Sequence, residues 1–157
     1  MENDPYGEVM NQSRPASADE RIIEPMIALA RCSKLERIMV AGLKAIELMF
    51  ALHRRGYLRA AASANCGHPA AQYDVALVDW RQRSIKSLET TLGWLVKYLN
   101  HSGVLVVWVD SQKPAGTEHL RSVFERHGFR VEAGTIHEYG FAISARRFEI
   151  TPISKAA

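Results

Sequence analysis

The sequence predicts a single three-layer α/β domain built on a mostly parallel sheet that ends in an antiparallel hairpin. Three observations carry this. A strand, a helix, a glycine and another strand follow one another three times between residues 37 and 130, the rhythm of βαβ units. Two runs, "YDVALVDW" and "GVLVVWVD", are apolar without alternation, as strands buried on both faces are. The two last runs, "FRVEAG" and "YGFAISARRFEI", are separated only by "TIHE", too short for a crossover, so they should pair as a hairpin.

The elements follow in order. Residues 1–18 are polar, contain Pro5 and Pro15, and read as a flexible acidic tail. From Asp19, Ile22, Ile23, Met26, Ile27 and Ala30 fall on one helical face, with Pro25 close enough to the start to be tolerated. "RIMVAG" is a short strand closed by Gly42. "LKAIELMFALHRR" places Leu43, Ile46, Met49, Phe50 and His53 at helical spacing, with Gly56 as its stop. "YLRAAASAN" is a weaker strand and "CGHPAAQ" a loop. "YDVALVDW" precedes a helix with Ile85, Leu88, Leu92, Leu95 and Leu99 on one stripe. "GVLVVWVD" then leads to a helix from about Thr117 to Gly128. The domain spans 19–150, and 151–157 form a second flexible tail.

With 157 residues and 47% hydrophobic composition, the chain has the bulk for one core. No apolar run of about eighteen residues occurs, and "MENDPYGEVMNQ" is a poor secretory signal. Cys32 and Cys66, the two cysteines, suit free thiols in a reducing cytoplasm. The formal charge of +3 is uneven: residues 1–20 carry five acids and one base, leaving 12 acids and 19 bases beyond them. Basic runs at 53–59, 81–86 and 145–147 suit either solvated helix faces or contact with nucleic acid.

From about residue 35 to 149 the chain resembles the class I S-adenosylmethionine-dependent methyltransferases. The resemblance rests on "YDVALVDW", "LGWLVKYLNHSG", "VLVVWVD", "HLRSVFERHGFRVE" and "YGFAISARR" in that order. It implies a Rossmann-like sheet and S-adenosylmethionine as cofactor. The chain departs from the family pattern in two places. The acid that ends the first strand is matched by Val40, and the glycines that follow are matched by Gly42, Lys44 and Ile46. Glycine there lets the backbone turn tightly and approach a ligand, whereas Lys44 and Ile46 bring large side chains. The acid that ends the second strand is matched by Asn65 and Cys66. Only Cys66 to Gln72 separates the second strand from "YDVALVDW", so one edge strand and the adenine-binding wall are expected to be lost, leaving about six strands.

Ligands of an open α/β sheet bind beyond the carboxyl ends of its strands, where strand order reverses. The residues expected there are Gly42, Lys44, Asn65, Asp79 and Trp80 on the cofactor side, and Arg81, Asp110 and Ser111 on the substrate side. Each has a plain structural alternative. Asp79 can cap "RQRS", Asp110 can cap "DSQKPAG", and Lys44 can be a solvated lysine. Cys66 and His68 are too few to hold a metal, and no metal is expected. His137, Glu138 and Tyr139 are expected in a turn away from the crevice. Three functions remain: a small methyltransferase with a divergent cofactor loop, a methyltransferase-derived binding or regulatory domain, and a nucleic-acid-associated protein. The partner is then a small molecule, a protein or a nucleic acid, with no membrane, and a homodimer would form through the hairpin edge or the first helix.

Overall fold

The computed structural model describes residues 18–62, 71–81, 84–110, 114–138 and 140–148. Helix α1 (Ala18–Ala30) precedes strand β1 (Ile38–Gly42), helix α2 (Ala45–Arg54) and strand β2 (Ala60–Ala62). Strand β3 (Tyr73–Asp79), helix α3 (Ile85–Tyr98), strand β4 (Leu99–Asp110) and helix α4 (Pro114–Arg126) follow. Strands β5 (Phe129–His137) and β6 (Gly140–Arg147) close the chain. The six strands form one sheet in the order β2-β1-β3-β4-β6-β5, and β6 alone runs antiparallel to its neighbours. The expected six-stranded architecture is therefore present, and strand order reverses between β1 and β3.

Two apolar layers explain why both sheet faces are hydrophobic. Helices α3 and α4 bring Leu88, Leu92, Leu95, Leu120, Val123 and Phe124 onto Met39, Ala76, Val78, Leu105 and Val107. On the other face, α1 and α2 bring Ile22, Ile23, Met26, Leu48 and Leu52 onto Ile38, Val40, Val75, Leu77 and Val106. Successive strand residues point to opposite faces, so a strand covered on both sides needs the unbroken apolar runs of β3 and β4. At about 1.5–3 kcal/mol for each large side chain taken fully from water, these two layers are the main stabilising force.

Several boundaries differ from the sequence expectation. Pro25 stands well inside α1 rather than in its first turn. It cannot donate to the carbonyl four residues back, and the helix persists because Ile22, Ile23, Met26 and Ala30 are buried on the sheet. Helix α2 is rotated from the expected stripe. Its buried residues are Leu48, Ala51 and Leu52, whereas Leu43, Ile46 and Phe50 are exposed. The helix carries two apolar stripes, and its packing onto Val40 and Leu77 selects the one with smaller neighbours. Strand β4 begins at Leu99, directly after α3, and α4 begins at Pro114, where a proline lacks no bond it would otherwise make. Most of "TIHE" is strand: pairing runs to His137 opposite Gly140. Among the described residues, no helix is long and apolar enough to cross a membrane.

Candidate functional site at the carboxyl edge of the sheet

Strands β1, β3 and β4 end side by side. Gly42 pairs with Asp79, and Asp79 pairs with Trp108, so three loops leave the sheet at one edge. Gly42 has φ +110, in the region that favours glycine, and a Cβ there would lie 2.1 Å from the Asp79 carbonyl oxygen. The Leu43 N–H donates to that same oxygen at 3.1 Å. The absence of a side chain at Gly42 is thus used by the sheet itself, to bring β1 onto the end of β3.

Lys44 is the residue before α2 and is exposed. The side chain at its N-cap position, Lys44, makes no cap hydrogen bond, so among the described residues the first-turn N–H groups have no N-cap side-chain acceptor, and they sit at the positive end of the helix dipole. Ile46, 58% exposed, projects away from the core.

Asp79 is buried, and its carboxylate is held at both oxygens by Arg81. The guanidinium donates from Nε to Oδ1 at 2.7 Å and from a terminal nitrogen to Oδ2 at 2.6 Å. The Arg81 backbone N–H also donates to Oδ1 at 3.3 Å. Such a two-point pair between neighbours in sequence folds the loop back over the strand end. Trp80 points into the core with Leu88 and Leu92. Its indole N–H donates to the Ser84 carbonyl at 2.9 Å, and Ser84 in turn caps α3 by accepting from the Ser87 N–H at 3.1 Å.

Asp110 ends β4 opposite Gly140. Because β6 is antiparallel to β4 and β5 is antiparallel to β6, the hairpin tip lies at this same edge. His137 therefore shares this edge, but on the outermost strand, with β6 and β4 between it and the β1–β3 switch point. The His137 ring packs on Trp108 with centroids 5.6 Å apart, and its Nε2 shares a 2.8 Å hydrogen bond with the Thr135 hydroxyl. A Cβ at Gly140 would meet the Trp108 indole at 3.2 Å, so glycine leaves room for that ring. The sequence signal for this grouping was the hairpin, which makes β5 parallel to β4 and puts its end at the carboxyl edge.

The structure therefore brings together Gly42, Lys44, Asp79, Arg81 and the end of β4 at Asp110, and turns Trp80 inward. Asn65, Cys66, His68 and Ser111 lie outside the described residues. Among the described residues, no group of three His, Cys, Asp or Glu could hold a metal ion. The basic runs are partly neutralised: Arg55 pairs with Glu24, Arg81 with Asp79 and Arg146 with Glu132.

No protein-family model and no curated protein matches this sequence. Solved structures do match its fold. A 1,6-didemethyltoxoflavin-N1-methyltransferase from Burkholderia thailandensis, bound to S-adenosylhomocysteine, aligns with a TM-score of 0.60 at 11% identity, over 92% of this chain and 84% of that one. A SAM-dependent methyltransferase from Archaeoglobus fulgidus aligns at 0.61 and 12% identity, over 92% of this chain and 100% of that one. The chain has the fold of the S-adenosylmethionine-dependent methyltransferases. That methyltransferase-like fold also matches the [4+2]-cyclase SpnF, with a TM-score of 0.63 at 11% identity, over 88% of this chain and 85% of that one. The last comparison matters because one architecture hosts different reactions, and the reaction must be argued from the site.

Proposed function

We propose that this methyltransferase-like protein binds S-adenosylmethionine at the carboxyl edge of its sheet through a divergent first turn, and acts as a small methyltransferase. One observation carries the reading: the N-terminus of α2 has no N-cap side-chain acceptor among the described residues and opens at the edge where ligands of this fold class bind. The residues there fit the charged end of the cofactor. The first-turn N–H groups, with Lys44 beside them, would hold the amino-acid carboxylate. Neighbours of the same fold, such as the Burkholderia enzyme, are bound to S-adenosylhomocysteine, which supports this choice of ligand.

When bound, S-adenosylmethionine supplies an electrophilic methyl group on a sulfonium. What the protein must add is mainly position and orientation. Asp79 is committed at both oxygens to Arg81, so we assign it to holding the loop over the strand end rather than to proton removal. The Asp79–Arg81 loop and the end of β4 form the side of the crevice on which an acceptor would sit.

A second reading follows from Gly42. Its missing Cβ serves the contact with Asp79, and Lys44 and Ile46 stand where further glycines would be, which favours a binding or regulatory domain derived from the same fold. Calorimetric titration with S-adenosylmethionine and S-adenosylhomocysteine, followed by a labelled-methyl transfer assay, separates the two. Saturable heat with transfer supports the enzyme, and heat without transfer supports the binding domain. No heat at millimolar ligand from folded protein removes both forms of the cofactor reading.

A further inference from the structure

The opposite edge of the sheet, where β3 and β4 begin, holds a cavity of about 640 Å³ that takes no part in the proposed function. Two irregularities in the sheet create its polar lining. The register of β3 shifts between Tyr73 and Val75, and that of β5 shifts between Val131 and Ala133. At the first, the single β3 residue Asp74 faces the four β4 residues 100–103; at the second, Glu132 is the extra residue of β5; both acids line this cavity. A bulge re-aims a side chain that regular alternation would send elsewhere, as at Glu132, and Asp74 lines the same space beside the irregular start of β4.

The charges of the lining do not cancel. Glu132 is paired with Arg146 at 3.1 Å. Among the described residues, Asp74 accepts only from neutral donors, the Arg37 backbone N–H at 2.9 Å and the Asn100 amide at 2.7 Å. Glu36 accepts from the Ser33 N–H at 2.9 Å. Two carboxylates therefore stand against one exposed guanidinium, Arg31, at the cavity lining. The last turn of α1 also lines the space and contains no basic residue, so the negative end of the helix adds to the same field.

A second feature points to a ligand independently of these acids. Ser144 is 5% exposed and lines the cavity, and its hydroxyl has no hydrogen-bond partner among the described residues. Leaving a buried hydroxyl unmatched is unfavourable, and a bound polar group would remove that cost.

We propose that this cavity binds a small aliphatic ammonium compound, a primary amine or diamine, at a site separate from the crevice. The ammonium is drawn by Glu36, Asp74 and the end of α1, and Ser144 accepts one of its N–H bonds. The alkyl stem lies along Leu29, Val75 and Val104. A compact cation of this kind suits a polar space with a net negative lining, whereas a dicarboxylate would be repelled.

The test is calorimetric titration of the full chain with putrescine, and with succinate at matched ionic strength. Saturable putrescine binding is expected, with Ser144→Ala and Glu36→Gln each weakening it about tenfold, and no saturable succinate binding. Glu36→Gln leaves the buried sheet untouched, so it remains informative if Ser144→Ala folds poorly. Absence of saturable putrescine binding at millimolar concentration overturns the proposal. So does succinate binding of equal strength, or putrescine affinity unchanged in the folded variants.

Discussion

The two edges of this sheet treat polar residues in opposite ways. At the carboxyl edge, the buried acid Asp79 is locked by Arg81, the glycine Gly42 is pressed against the Asp79 backbone, and Trp80 gives its N–H to Ser84. At the amino edge, irregularities break the register, acids line a cavity, and the Ser144 hydroxyl has no partner among the described residues. The first edge carries chemistry-bearing side chains that work as structure. The second leaves the Ser144 hydroxyl without a partner among the described residues, and among them Asp74 meets only neutral donors. Proximity to the expected crevice is therefore a poor guide to which side chains are available to a ligand.

This contrast can be broken most directly at Gly42. Gly42→Ala places a Cβ against a backbone oxygen in a conformation that L-residues avoid, and should cost about 4 kcal/mol or more, seen as loss of the folded state or a large fall in urea midpoint. Arg81→Ala comes next. It leaves a carboxylate buried without its charge partner and should cost about 3 kcal/mol; a change near zero in chemical denaturation would mean that the pair is not structural.

The amino edge answers to pH instead. Burial, with the nearby charge of Glu36, pushes the Cys32 thiol up to about 11 from 9.0. The raised value means that this contribution is complete below pH 9 and is lost as pH rises through about 11. It amounts to about 3 kcal/mol, and urea midpoints across this range check it. In the native state at pH 8, Cys32 should hold about a hundredfold less thiolate than an ordinary thiol, so mass-mapped alkylation should find it slow.

Smaller effects sharpen the comparison. Ser84→Ala removes the cap of α3 at the carboxyl edge and should cost about 1 kcal/mol. Glu132→Gln at the amino edge breaks an ion pair whose side chains are 47% and 44% exposed, and should cost about 0–1 kcal/mol. If that last variant proved as damaging as Arg81→Ala, the two edges would not differ as described.

Most of the fold was legible because burial writes itself into β3, β4 and α3: unbroken apolar runs in the strands and a single stripe from Leu88 to Leu99 in the helix. Where a helix carried two apolar stripes, as α2 does, periodicity could not choose between them, and packing onto Val40 and Leu77 did. The start of α1 was legible to within a residue, but Pro25 stands inside the helix rather than in its first turn because tertiary burial won over local propensity. The site was legible as far as the parallel order of β1, β3 and β4 brings Gly42, Asp79 and Asp110 to one edge. The hydrogen bonds that commit Asp79 to Arg81 and Trp80 to Ser84 were not, since they depend on loop geometry. Nor were the irregular start of β4 opposite Asp74 and the bulge at Glu132, whose register shifts leave no mark in composition.

The most direct test of the proposed cofactor site is an amide-resolved NMR titration with S-adenosylhomocysteine. Saturable shifts are expected at Gly42, Leu43 and the first turn of α2, weakened by Lys44→Glu, with the amides of Glu132 and Ser144 unmoved. No shifts at millimolar ligand, or shifts confined to the amino edge, would contradict the proposed site.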